Sequence, residues 1–267
     1  MSSYAITGAS KGIGREFVRQ LAADTNNTVL AIVRNPESPE IADLTSKHPN
    51  VHAIKGDVTD PQSILEAAAA AAAVTGGTLD VLIHNSNAVD AASMSYTPTQ
   101  MPFDAQAMRA SFEPSLSTNV YGGLWATNAF LPLIEKGTQK KIVHISTGMA
   151  DTAFIKKASV SVAVAYSIAK AAVNVQVAKY AVELAPKGIK VVAVSPGWVD
   201  TWEGEKPAQV VEADNFLLKQ FQAAKPDLEG KILPEESVRK VLQVIEHLDI
   251  EDSGLFLSHN GDQENWF

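Results

Sequence analysis

The sequence predicts an α/β fold: one doubly wound, seven-stranded parallel sheet with helices on both faces, formed by a single domain over residues 1–267. Two patterns predict it. Short apolar runs of strand character alternate with longer stretches of helical periodicity, the order that βαβ units produce. A glycine-rich turn between Gly8 and Gly14 joins the first apolar run directly to the first helical stretch. With 267 residues, 46% of them hydrophobic and 19% charged, the chain can bury a sizeable core. No Pro/Gly/Ser-rich linker or charge run divides it, and the alanine-rich patch at 67–73 reads as helix.

Strands are expected at 4–7, 29–33, 51–55, 81–84, 141–146, 190–195 and 254–257, and helices at 14–24, 61–74, 103–133, 164–184 and 234–247. Several helix ends carry their own signals. Asp60-Pro61 places a capping residue before a proline in the first turn, and Pro186-Lys187-Gly188 stops the helix of 164–184. Ligands of a doubly wound sheet lie beyond the carboxyl ends of the strands, so the loops there should build the site. Two of them are long, 86–102 and 198–234, and the segment around 198–233 is expected to form a substrate lid.

Composition excludes several functions. A net charge of −8 argues against a nucleic-acid partner, which requires a basic face. Without cysteine there are no disulfides, no thiolate catalysis and no Cys-ligated zinc, and no metal site is expected. The start from Met1 to Ile6 runs straight into the glycine turn without a signal-like apolar stretch, and no segment approaches ~20 apolar residues. A cytoplasmic protein with no membrane partner is expected.

In Thr7-Gly8-Ala9-Ser10-Lys11-Gly12-Ile13-Gly14, the glycines let the backbone turn sharply and approach a pyrophosphate, whose charge the amides of the following helix attract. The second strand ends in Val33-Arg34, where a site for NAD usually presents an acid to the ribose 2′-hydroxyl. An arginine there favours a 2′-phosphate, and Lys11 offers a second positive charge, so NADPH is expected over NADH. Exposed Arg and Lys at loop ends are also common as plain surface residues.

The Thr-Gly-x-x-x-Gly-x-Gly turn resembles that of the short-chain dehydrogenases, and the resemblance recurs along nearly the whole chain. It implies a Rossmann-like fold and assigns the glycine-turn residues Gly8, Ser10, Lys11, Gly12, Ile13 and Gly14 to the cofactor. Asp57 and Val58 stand where the family contacts adenine. Asn85 and Ser86 belong to its Asn-Asn-Ala-Gly turn, with His84 and Asn87 departing from the pattern. Pro196, Gly197, Val199 and Thr201 match a Pro-Gly-x-x-x-Thr segment, which implies a Val199 backbone bond to the nicotinamide carboxamide and a Thr201 contact to carboxamide or pyrophosphate. Trp198 and Trp202 flank that turn, to wall a substrate pocket or pack the lid.

Tyr166 and Lys170, at i and i+4 of a helical stretch, share one face. A tyrosine of pKa ~10 exchanges protons poorly at neutral pH, and a nearby ammonium lowers that value. By resemblance, Tyr166 donates a proton to a substrate carbonyl, and Lys170 also holds the nicotinamide ribose. Thr147 takes the place of the family's substrate-binding serine, with Ser146 as the other candidate. Asn119 occupies the position of an asparagine that holds a relay water, though a helix asparagine also bonds its own backbone. His144, on a strand, reads as core, and the segment 151–162 is expected to bulge over the site.

The reading that results is an NADPH-dependent ketone or aldehyde reductase acting on a small-molecule carbonyl or alcohol, resembling the carbonyl-reductase branch of the family through Asn260-Gly261-Asp262 and Trp266. A homodimer or homotetramer is expected by analogy. Small residues on the 164–184 helix (Ala169, Ala172, Val173, Val177 and Ala181) suit either a subunit contact or burial against the sheet. Two other classes stay open: a fold that uses bound cofactor for a non-redox cyclisation or epimerisation, and a non-catalytic nucleotide sensor.

Overall fold

A computed structural model describes residues 1–267. Seven strands, β1 (Ser3–Thr7), β2 (Thr28–Val33), β3 (Val51–Lys55), β4 (Val81–His84), β5 (Lys141–Ile145), β6 (Lys190–Ser195) and β7 (Phe256–Ser258), form one sheet in the order β3-β2-β1-β4-β5-β6-β7. Every pairing is parallel. Helices cover both faces, which is why runs such as Val29-Leu30-Ala31-Ile32-Val33 and Val191-Val192-Ala193-Val194 are apolar without alternation.

The helices are α1 (Gly12–Ala22), α2 (Pro39–Lys47), α3 (Pro61–Thr75), α4 (Ala105–Ser115), α5 (Gly122–Ile134), α6 (Thr152–Lys157), α7 (Val164–Leu184), α8 (Ala208–Ala224) and α9 (Pro234–His247). One face of the sheet packs against Phe17, Val18 and Leu21 of α1, Ile41 and Leu44 of α2, and Val238, Val241 and Ile245 of α9. The other packs against Ile64 and Ala67 of α3, Phe130 and Ile134 of α5, and Val177 and Leu184 of α7. Each such side chain taken fully out of water contributes roughly 1.5–3 kcal/mol. No helix is long and apolar enough to cross a membrane.

Four segments differ from the sequence expectation, the first being α2, where no helix was expected. The helix expected at 103–133 divides into α4, a π-helical turn at Leu116–Tyr121, and α5. Pro114 has no N–H to continue the α ladder, and the Leu116 amide is shared between the Phe112 and Glu113 carbonyls. The segment 198–234, expected as a loop, contains the 17-residue helix α8, whose mixed apolar and charged positions concealed its periodicity. The bulge at 151–162 is ordered by α6, which Asp151 caps by accepting from Phe154 N at 2.6 Å.

Of the small residues on α7, Ala169, Val173, Val177 and Ala181 are buried within this chain, while Ala172 is half-buried. Expected end signals appear as well, with Asp60 accepting from Gln62 N at the start of α3 and Gly188 adopting a positive φ of 68° beyond α7.

Asp80 ties three strand starts together. Its carboxylate accepts from Ser3 N at 2.9 Å and Ser3 Oγ at 3.0 Å, and from Thr138 N at 2.8 Å, Thr138 Oγ1 at 2.7 Å and Gln139 N at 3.2 Å. Burial pushes its pKa up, but these donors outweigh burial and bring it down to about 2. A folded-state pKa below the ordinary ~3.9 contributes stability above that value and loses it as pH falls toward 2. Asp80→Asn is expected to lower unfolding free energy by about 1–3 kcal/mol at pH 7. Urea titrations at pH 7 and pH 3 should show the gap to wild type narrowing at the lower pH; a pH-independent gap would refute the charge-based account.

Candidate active site

The order of the sheet reverses between β1 and β4, and a crevice opens where their carboxyl ends diverge. A cleft of about 550 Å³ occupies this point. Its wall begins with Gly8, Ser10, Lys11, Gly12, Ile13 and Gly14. Gly8 and Gly12 have positive φ of 67° and 53°, strained for any other residue. A Cβ on Gly14 would lie 2.2 Å from the Gly8 carbonyl oxygen and 2.5 Å from Asn85 Nδ2. Asn85 Nδ2 donates to the Thr7 and Gly8 carbonyls at 3.2 Å each, and Thr7 Oγ1 accepts from the amides of Asn85 and Ser86 at 3.1 Å each. The turns after β1 and β4 are thereby locked together. Lys11 precedes α1 without a side-chain cap, so the first amides of the helix stay available at the cleft.

At one end the cleft is lined by Arg34, Asp57 and Val58, with Ile32, Val33, Gly56 and Thr59 beside them. No ion pair of the protein involves Arg34 or Lys11. Asp57 is occupied locally, its carboxylate accepting from Thr59 N at 2.9 Å and Thr59 Oγ1 at 2.8 Å.

At the other end stand Tyr166 and Lys170, one turn apart on α7, with Ser146. Lys170 is buried, its Nζ donating to the Ile145 carbonyl at 2.6 Å, and burial lowers its pKa to about 7. Burial of the Tyr166 hydroxyl raises its pKa to about 12, with the Thr147 hydroxyl nearby pulling weakly the other way. The lowering expected from the Lys170 ammonium is not seen: burial and the Thr147 hydroxyl account for the shift. Thr147 does not line the cleft, and its Oγ1 accepts from Met149 N at 3.3 Å. Ser146 Oγ donates to Asn174 Oδ1 at 2.7 Å.

Asn119 is buried in the π-helical turn and also lies outside the cleft lining. Its Nδ2 donates to the Ser115 carbonyl at 2.9 Å, the local bond anticipated from sequence, while its Oδ1 has no partner. His144 is a core residue: its Nε2 lies 3.2 Å from Thr127 Oγ1, and burial lowers its pKa to about 4.

After β6, Pro196 and Thr201 line the cleft while Gly197 and Val199 do not. Ser237 Oγ donates to the Pro196 carbonyl at 2.6 Å, and Gly197, with φ of 86°, lies against His259. Ile232 pairs with the Trp198 carbonyl and the Asp200 amide at 2.9 Å each, which turns the Val199 N–H to the opposite side. Trp202 lines the cleft beside Thr201. Ile32, Gly56, Thr118 and Ile145 are site residues that sequence reasoning did not single out; the general rule about strand ends points to them, whereas the Ile145 contribution is a carbonyl that every residue possesses.

Comparison with known proteins agrees with this geometry. A family model described as short chain dehydrogenase matches residues 3–209. The short-chain dehydrogenase/reductase atnB of Arthrinium sp. is 44% identical over 267 residues, 100% of both chains. The short-chain dehydrogenase/reductase AacuF of Aspergillus aculeatus is 37% identical over 266 residues, 99% of each. Among solved structures, the NADPH-bound carbonyl reductase from chicken fatty liver is similar with a TM-score of 0.78 and 28% identity, covering 100% of this chain and 99% of that one. The family match over residues 3–209 and the 44% identity to a relative along the whole chain place it in the short-chain dehydrogenase family, oxidoreductases that use a nicotinamide cofactor on small-molecule substrates.

Proposed function

We propose that the protein is an NADPH-dependent reductase of ketones or aldehydes, with Tyr166 as the proton donor. The observation that carries this is a protonated tyrosine and a buried lysine side by side at the end of a dinucleotide-sized cleft. The residues fit such a cofactor. Backbone crowding at Gly14 leaves no room for a side chain, and the uncapped start of α1 offers amides to a pyrophosphate. Asp57, Val58, Asn85 and Ser86 would hold the adenosine portion, and Pro196, Gly197, Val199 and Thr201 the nicotinamide portion. Arg34 and Lys11, free of acidic partners, would receive a 2′-phosphate. When bound, the cofactor supplies the hydride.

The remaining work falls to side chains of this chain. Tyr166 transfers its phenolic proton to the substrate carbonyl oxygen, while the Thr147 hydroxyl, with Ser146 as the alternative, holds that oxygen. Lys170 returns a proton to Tyr166, and Asn119 Oδ1 supports the path behind it. The segment 198–233, including α8, acts as a lid. A cytoplasmic location completes the reading.

We also place a homodimer contact on α7, where Ile168, Val175 and Val182 recur every seven residues with 51%, 61% and 79% of their surface exposed. Val175→Glu should then convert a dimer to a monomer in light scattering; a wild-type monomer removes this contact from consideration.

Three measurements test the catalytic reading. NADPH should bind more tightly than NADH, and Arg34→Asp should weaken NADPH by about tenfold to a hundredfold while leaving NADH little changed; equal affinities in the wild type would count against it. Tyr166→Phe should lower kcat for carbonyl reduction about a thousandfold, with NADPH affinity kept within about twofold. Because Lys170, with its pKa lowered to about 7, is cationic below that value and neutral above it, reduction should slow as pH rises through 7. A rate that rises with pH through this range would exclude Lys170 as the proton source.

A further inference from the structure

The segment following β7 ends in two aromatic residues that reach the loops carrying the catalytic groups. Trp266 stacks on Phe256 of β7, with ring centroids 4.3 Å apart and planes at 18°. It also lies against Gly148, the residue after Thr147, where an added Cβ would come 2.7 Å from Trp266 Cβ. The Phe267 ring sits 5.3 Å from that of Phe154 on α6 and 5.0 Å from that of Phe221 on α8, and Trp198 meets Phe221 edge-on at 5.1 Å. The loop with Thr147 after β5, the loop leading into α7 and the loop with Pro196 after β6 each send one side chain to this cluster: Met149, Val162 and Trp198 respectively.

Its inner members, Phe154, Phe221 and Trp266, are buried, while Met149, Trp198, Leu217 and Leu218 at its margin keep part of their apolar surface exposed. Two nearby cations are already matched, whereas Lys156 and Lys157 of α6 and Lys219 of α8 take part in no ion pair. Lys206 pairs with Asp200 at 2.6 Å and Asp214 at 3.3 Å, and Lys231 with Asp214 at 2.6 Å. A flat apolar substrate gains by covering the exposed margin.

We propose that Trp266 and Phe267 are specificity-determining residues, holding α8 and the Met149–Trp198 margin so that the site selects carbonyl compounds with a flat, apolar body. The proposal rests on the reductase reading above. Neither residue touches the reacting atoms; they act by positioning the surface that the substrate body covers.

The test compares two dicarbonyls, phenanthrenequinone and diacetyl. In each, one carbonyl is reduced to a hydroxyl as NADPH is oxidised to NADP⁺. Wild type should favour phenanthrenequinone in kcat/KM by about a hundredfold. Phe267→Ala and Trp266→Ala should each raise KM for phenanthrenequinone about tenfold, with kcat and the KM for diacetyl within about twofold. Phe267→Leu should restore most of the loss, and it carries the comparison if the alanine variant does not fold. An equal rise in KM for both dicarbonyls, or no rise for either, overturns the proposal. So does a wild type that binds NADPH but prefers diacetyl or reduces neither. A wild type that fails to bind NADPH overturns instead the reading on which the proposal rests.

Discussion

Gly14 carries no side chain where it meets the Gly8 carbonyl and the Asn85 side-chain amide, and the geometry of the cleft depends on that bare approach. The first turn of α1 lies directly against the backbone leaving β1, whose Thr7 and Gly8 carbonyls accept from the Asn85 side-chain amide. Any Cβ on Gly14 would force α1 away from the sheet, and the uncapped amides at its start would move with it. Thr7 extends the same junction sideways: one hydroxyl accepts two amides from the turn after β4, so the ends of β1 and β4 hold a fixed separation. The switch point of the sheet is thus a rigid slot rather than a gap between loops.

The opposite end of the cleft is fixed by a different device, a single buried ammonium. Lys170 crosses from α7 to the end of β5 to donate to the Ile145 carbonyl. Burying a charge with one neutral partner is costly, and the reduced pKa of the lysine expresses that cost. The bond sets the height of α7 over the sheet, and with it the position of Tyr166 one turn earlier. Ser146 and Asn174 add a second link between the same two elements at 2.7 Å.

Much of this was legible in the sequence because the sheet is buried on both faces. Apolar runs bounded by turn residues located all seven strands, and the glycines, Tyr166 and Lys170 carry chemistry in their identities. The losses have physical causes. α8 is half solvated and α2 is short, so neither presents a continuous apolar stripe. The π-helical turn at 116–121 follows from the interruption at Pro114 within a stretch whose composition is uniformly helical. The Ile145 carbonyl that receives Lys170 and the contact of Trp266 with Gly148 are tertiary facts, joining residues 25 apart in one case and distant ends of the chain in the other. Conversely, small residues on α7 read equally as subunit contact or core, and only packing within this chain shows which of them are buried.

The pKa shifts of the catalytic pair run in opposite directions from one cause. Burial disfavours charge on either group, so the tyrosine rises to about 12 and the lysine falls to about 7. Had the two been solvent-exposed, both would titrate near 10 and neither would change charge at neutral pH. In this structure Tyr166 stays protonated throughout the working range, fit to give up a proton when a substrate oxygen demands one. Lys170 becomes the group whose charge varies. Desolvation thus makes Tyr166 a weaker acid than a free tyrosine while it brings the Lys170 charge into the neutral range, so in the proposed mechanism donation and supply of the proton fall on two side chains one helical turn apart.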